Sequence, residues 1–226
     1  MSIKLLFTDM EGTIFAKQNI QLRPGEPFHH HSLWSRLMHE LGPEALEEDA
    51  RTVLKWEAGE YQSYLDWVDE SIQIMKRHGL TREQFHRIMD GVPYNPGVKE
   101  TFSEIHRRGI RTALISGGFA EQARKAQREL RINHSFAAAE LFWEDGLIDH
   151  WVSLPSDYAG KVDFVKLLMR EYRLKPEECA FIGDGENDAF IAREVGLSFA
   201  YQAHPELCAV STYEIEDFSE MLQRLS

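Results

Sequence analysis

Four short stretches of the chain carry residues able to do chemistry. LLFTDMEGT puts Asp9 and Glu11 just past an apolar run, and LISGG puts Ser116 ahead of Gly117 and Gly118. Lys161 follows Gly160 at the start of a helical pattern, and FIGDGEND gathers Asp184, Asn187 and Asp188 on a glycine-rich turn. Asp9, Asp184 and Asp188, with a backbone carbonyl, suit a hard cation that takes oxygen ligands and keeps several waters, which points to Mg²⁺. Glu11 is a further candidate metal position. No His/Cys grouping favours zinc. Singly, each stretch has a simpler explanation as a cap, a turn or a solvated side chain. Together and in this order, each at a strand end or helix start, they read as parts of one site.

The elements that must hold these residues follow from the apolar pattern. Ile3 to Thr8 is apolar on nearly consecutive positions, as in a strand buried on both faces of a parallel sheet. From Ser32 to Met89 the apolar residues recur at helical spacing, and Thr81 with Gln84 forms a capped helix start. Asn95 and Pro96 are expected to open the next helix. Strands and helices then alternate: a strand over 110–115, a helix over 120–130 and a hairpin over 141–152 that turns at Asp145-Gly146. A helix over 158–172, a strand over 180–182 and a helix over 188–195 follow. Strands over 197–201 and 209–211 and a helix over 215–225 complete the series. This alternation predicts an α/β fold, a doubly wound parallel sheet with a Rossmann-like core. Residues 1–15 and 92–226 are expected to form the core, with an all-helical cap over 16–91. In such sheets ligands collect beyond the carboxyl ends of the strands, where all four stretches fall.

Bulk composition narrows the partners. The 226 residues are 43% hydrophobic and 27% charged, enough for one substantial core and a small lid. A formal net charge of −12 argues against nucleic acid and against an anionic membrane surface. No run approaches the ~20 apolar residues that cross a bilayer, and Asp9 interrupts the first one too early for a signal peptide. Two cysteines, Cys179 and Cys208, make no disulfide framework, so a cytoplasmic location is expected.

The four stretches resemble the signature motifs of the haloacid dehalogenase superfamily, and LISGGF and GDGEND look most like its phosphoserine phosphatase-like branch. The resemblance runs over almost the whole chain. It implies a Mg²⁺-dependent phosphatase acting on a small phosphorylated metabolite. Asp9 would attack phosphorus and become an aspartyl phosphate, with Ser116, Gly117, Lys161 and Asn187 holding the phosphoryl oxygens. Glu11 would protonate the leaving oxygen and later take a proton from water. Most of the family has Asp where this chain has Glu11, but the enolase-phosphatase branch and a homoserine-accepting phosphotransferase branch share D-x-E-G. A phosphotransferase, with an acceptor alcohol in place of water, would use every one of these residues. A non-catalytic binding protein on the same scaffold would be expected to have lost at least one, and none is missing.

Substrate choice in this branch resides largely in the cap, where the likeness is loose. Phosphoserine phosphatases hold the substrate amine with a Glu and its carboxylate with an Arg. Here Gln18 stands near the first position, and the pattern from Tyr61 to Met75 has no Arg before Arg77. Phosphoserine therefore does not follow from the resemblance. Asp66, Asp69 and Glu70 are expected on a solvated helix face. Trp34, Trp56, Trp67, Tyr61 and Tyr64 are expected to form the cap core. His29, His30 and His31 are adjacent and point in different directions, so a surface loop is expected there rather than a metal site.

Overall fold

The computed structural model describes residues 2–18 and 32–225 and divides into two compact units. The first comprises residues up to Ala16, Pro93–Ala137 and everything from Ser156 onward; the second comprises Lys17–Val92 and Ala138–Pro155. His29, His30 and His31 lie outside the described residues.

In the first unit, β1 (Leu5–Thr8), β2 (Arg111–Phe119), β5 (Cys179–Gly183), β6 (Leu197–Tyr201) and β7 (Tyr213–Ile215) are strands. β1 pairs in parallel with β2 on one side and β5 on the other; β6 and β7 continue the parallel order beyond β5. Every residue of β1 and β5 is buried, which is why these strands read as unbroken apolar runs. Leu5, Phe7, Ala113, Ile115 and Phe181 face one layer of the core, where Val165, Leu168 and Ile191 pack against them. α5 (Val98–Arg107), α6 (Ala120–Leu130), α7 (Lys161–Tyr172) and the four-residue α8 (Ala189–Ala192) and α9 (Pro205–Cys208) supply the helices of this unit.

The second unit holds α1 (Leu33–Leu41), α2 (Pro43–Glu57), α3 (Tyr64–Arg77) and α4 (Arg82–Asp90). Leu37, Met38, Leu46, Ile72, Met75 and Phe85 are buried, and the Thr81–Gln84 capping box opens α4 as its sequence predicts. The hairpin of β3 (His134–Glu144) and β4 (Leu147–Ser153) turns at Asp145 and Gly146, both at positive φ, as a two-residue hairpin turn demands. β3 begins in the first unit, and the full strand order is β4-β3-β2-β1-β5-β6-β7. Most of the hairpin groups with the helices: Trp151 Nε1 donates to Asp69 at 2.7 Å, and Lys76 donates to the Asp149 carbonyl. The second unit is therefore not wholly helical.

Several elements differ from expectation. Asn95 does not cap a helix starting at Pro96; α5 starts at Val98 behind Gly97, and the Asn95 amide is used elsewhere. β2 runs past Ile115 to Phe119. The segment 158–160 is a 3-10 turn ahead of α7. α8 spans only Ala189–Ala192 because a 3-10 turn, Glu186–Asp188, precedes it. Gly196 N–H then donates to the Pro176 carbonyl and turns the chain away from a longer helix. Residues 209–211 are not a strand: α9 ends just before them and β7 begins at Tyr213. After β7 the chain forms a 3-10 helix, Phe218–Gln223, instead of an amphipathic α-helix.

Two expectations for the helical unit also change. Its tryptophans and tyrosines are half-buried, and the core is made of aliphatic residues with Phe85. Trp56 stacks on Trp67 with ring centroids 4.9 Å apart, and Tyr64 meets both edge-on. The acidic residues of α3 are not a bare solvated face. Glu70 accepts from Lys55 and Tyr61, each at 2.7 Å, and Asp69 accepts from Gln73 as well as Trp151.

Candidate active site

The site is built at the carboxyl ends of β1, β2 and β5. Past Thr8, a tight loop carries Asp9, Glu11, Gly12 and Thr13. Gly12 adopts a φ of +82°, and a Cβ there would collide with the Asp184 carboxylate. The Asn95 amide donates to the carbonyls of Gly12 and Thr13, at 3.0 and 2.9 Å, and holds this loop closed. Thr13 Oγ1 donates to Asp184 Oδ1 at 2.8 Å, which ties the loop after β1 to the loop after β5.

Lys161 is fully buried at the first residue of α7 and joins the parts electrostatically. Its ammonium donates to Asp9 Oδ1 at 2.7 Å and to Asp188 Oδ1 at 2.6 Å. Burial alone would pull its pKa down, but Asp188, Asp9 and Asp157 outweigh that and hold it protonated. The other Asp188 oxygen accepts from the N–H groups of Asp184 and Gly185, and a Cβ on Gly183 would collide with it. The short 3-10 turn in place of a longer helix is what aims Asp188 inward.

Asp9, Asp184 and Asp188 are all buried, and one carboxylate oxygen from each lies within 4.8 Å of the others. Burial pushes the Asp9 carboxyl well above the usual carboxylate range, against the pull of Lys161, and Asp188 and Asp184 push it further. Three buried carboxylates share one buried ammonium, so the cluster is short of positive charge. An all-oxygen set of this kind fits a hard divalent cation such as Mg²⁺. The Glu11 carboxylate is not in this cluster; it lies against Gly118, where a Cβ would collide with its Oε1.

Ser116 is buried within the C-terminal half of β2, its Oγ accepting from Gly118 N–H at 3.1 Å. Asn187 donates its amide to Asp157 at 2.5 Å. The four stretches singled out in sequence are thus brought together in the first unit. Thr13, Asn95 and Asp157 are members that sequence reasoning missed. Asp157 lies one helical turn before Lys161, a spacing that could have drawn attention to it. Asn95 looked like a helix cap, and Thr13 had no signal beyond its place after Gly12.

A family model described as haloacid dehalogenase-like hydrolase matches residues 3–196. The chain belongs to that family. Among curated members, a phosphoserine phosphatase of Idiomarina loihiensis is 28% identical over 138 residues, which cover 61% of this chain and 62% of that protein. One from Lactococcus lactis is 30% identical over 141 residues, covering 61% and 64%. The chain thus aligns with less than two thirds of either relative's length. A phosphoserine phosphatase of Methanocaldococcus jannaschii is 25% identical over 187 residues, covering 79% of this chain and 84% of that one. Among solved structures, a phospho-aspartyl intermediate analogue of phosphoserine phosphatase superposes with a TM-score of 0.78 over the whole of both chains, at 21% identity. This haloacid dehalogenase-like hydrolase therefore shares the phosphoserine phosphatase fold.

Proposed function

We propose that the protein is a Mg²⁺-dependent phosphatase that hydrolyses a small phosphate monoester through an aspartyl phosphate on Asp9. The observation that carries this reading is the buried cluster of Asp9, Asp184 and Asp188 with Lys161 bridging Asp9 and Asp188. A nucleophilic carboxylate beside a cation site and a buried ammonium suits attack on phosphorus, where catalysis consists mainly of positioning and charge stabilisation. Asp9, Asp184 and Asp188 would hold Mg²⁺, which supplies Lewis-acid neutralisation of the phosphoryl oxygens.

An Asp9 carboxylate oxygen forms a bond to phosphorus as the bond from phosphorus to the leaving alcohol breaks. Glu11 gives its proton to the departing oxygen. Water then attacks phosphorus, Glu11 takes the water's proton, and the bond from Asp9 to phosphorus breaks to release phosphate. Ser116, the Gly117 N–H, Lys161 and Asn187 bind the equatorial oxygens in both steps. The helical unit acts as a cap that selects the ester. Named relatives point to phosphoserine as the first ester to try, although Gln18 stands near the place of the cap Glu and the stretch from Tyr61 to Met75 carries no Arg. Two free thiols, one buried in the core, accord with a reducing cytoplasm.

Phosphate release from a panel of small esters, phosphoserine included, tests the reading with Mg²⁺, with EDTA and with an Asp9→Asn variant. Release from at least one ester that disappears with EDTA and in Asp9→Asn is expected. Release that survives either change overturns the mechanism. No phosphate release, but formation of a new phosphate ester of an added acceptor alcohol, would make the enzyme a phosphotransferase.

A further inference from the structure

Asp157 is the acidic residue of the site that neither the cation nor the reaction requires. It precedes the 3-10 turn that leads into α7, and its side chain is only 14% exposed. Its Oδ1 accepts from Asn187 Nδ2 at 2.5 Å and from the Tyr158 N–H at 2.9 Å. Lys161 Nζ lies 3.7 Å from the same oxygen, beyond hydrogen-bond range, and is committed to Asp9 and Asp188 at 2.7 and 2.6 Å. The side-chain donor that Asp157 serves is therefore Asn187.

The surroundings are shaped for this pair. A Cβ on Gly117 would collide with Asp157 Oδ2, and a Cβ on Gly185 would collide with Asn187 Oδ1. One glycine makes room for each partner. The backbone is held to match: Ser156 Oγ donates to the Ser116 carbonyl at 2.8 Å, and Tyr158 takes a positive φ of 47° that non-glycine residues seldom adopt. A left-handed residue persists where its neighbours over-determine it.

We propose that Asp157 is a positioning residue that fixes the Asn187 amide at the phosphate-binding end of the site, and that Gly117 is glycine partly to seat it. The inference rests on the reading of Asn187 as a phosphate contact. Two consequences of removing Asp157 oppose each other. Loss of a nearby negative charge favours a phosphate anion, whereas release of the Asn187 side chain disfavours it. The variants Asp157→Asn and Asp157→Ala separate them: both remove the charge, but only Asn keeps an oxygen for Asn187 to donate to.

The test is binding of inorganic phosphate to the full chain with Mg²⁺, followed by calorimetry. Asp157→Ala is expected to weaken binding about tenfold, the scale of a lost charge-assisted hydrogen bond. Asp157→Asn should bind within about threefold of the wild type or tighter. Asn187→Ala should lose a similar factor, and Asp157→Ala added to it should lose no more, because the two act as a unit. Should Asp157→Ala fail to fold, Asp157→Val removes the same acceptor at an extended backbone position, and its loss should likewise vanish in the Asn187→Ala background. Wild-type affinity or tighter binding in Asp157→Ala overturns the proposal, as do losses that simply add. A wild-type protein that binds Mg²⁺ but no phosphate overturns the functional reading instead, and this inference with it.

Discussion

At the scale of single residues, the protein buries charge in two different ways. Around Lys161, Asp9 and Asp188 both accept from the ammonium and Asp188 also accepts from two backbone N–H groups, yet burial still holds the Asp9 carboxyl above its usual range. Asp49, in α2 of the helical unit, is 4% exposed, and burial pushes its carboxyl up to about 7. An unfolded aspartate titrates near 4. Below that pH both states are protonated and Asp49 costs nothing. Between about pH 4 and 7 the unfolded state sheds its proton first, so stability falls as pH rises, and above 7 the full cost is present. Asp49→Asn is therefore expected to raise stability at pH 8 by roughly 1–3 kcal/mol and to change little at pH 4. Chemical denaturation at the two pH values measures this; an equal effect at both would contradict it. Nothing in the sequence marks Asp49, because its burial depends on how α2 packs against its neighbours.

At the scale of elements, the loops after β1 and β5 depend on residues far away in sequence. Asn95 donates to the Gly12 and Thr13 carbonyls across more than eighty positions. Asn95→Ala should cost about 1–3 kcal/mol of stability and lower kcat more than it raises KM, since the loop carries Asp9 and Glu11, the proposed nucleophile and proton donor. Denaturation and steady-state kinetics check both; unchanged kcat would show that the loop keeps its shape unaided. Asn95-Pro96 carries an ordinary helix-start signal, and a tether between distant loops has no local pattern. By contrast, the Thr81 capping box and the Asp145-Gly146 turn are local chemistry and were legible as written. The long helix expected over 188–195 fails for the same reason as Asn95. The apolar spacing there is helical, but the carboxylate of Asp188 is bound by Lys161 and by the loop N–H groups.

At the scale of the whole molecule, the buried strands and the order of the four motifs are enough to assign the α/β core, because a parallel sheet writes its burial into consecutive apolar residues. The motifs also bring Asp9, Asp184, Asp188, Ser116 and Lys161 to one end of that sheet. What sequence did not convey is the supporting set of Thr13, Asn95 and Asp157, or the grouping of the β3–β4 hairpin with the helices. These depend on side-chain contacts between distant segments, such as Trp151 with Asp69. The central claim is that the phosphoryl group passes through Asp9, and it is tested most directly by trapping. The chain would be mixed with a turned-over phosphate ester and Mg²⁺, quenched in acid, reduced with borohydride and mapped by mass spectrometry. The account predicts reduction of the acyl phosphate at Asp9 alone, and none in an Asp9→Asn control. Turnover with no modification at Asp9, or with modification at another carboxylate, would contradict it.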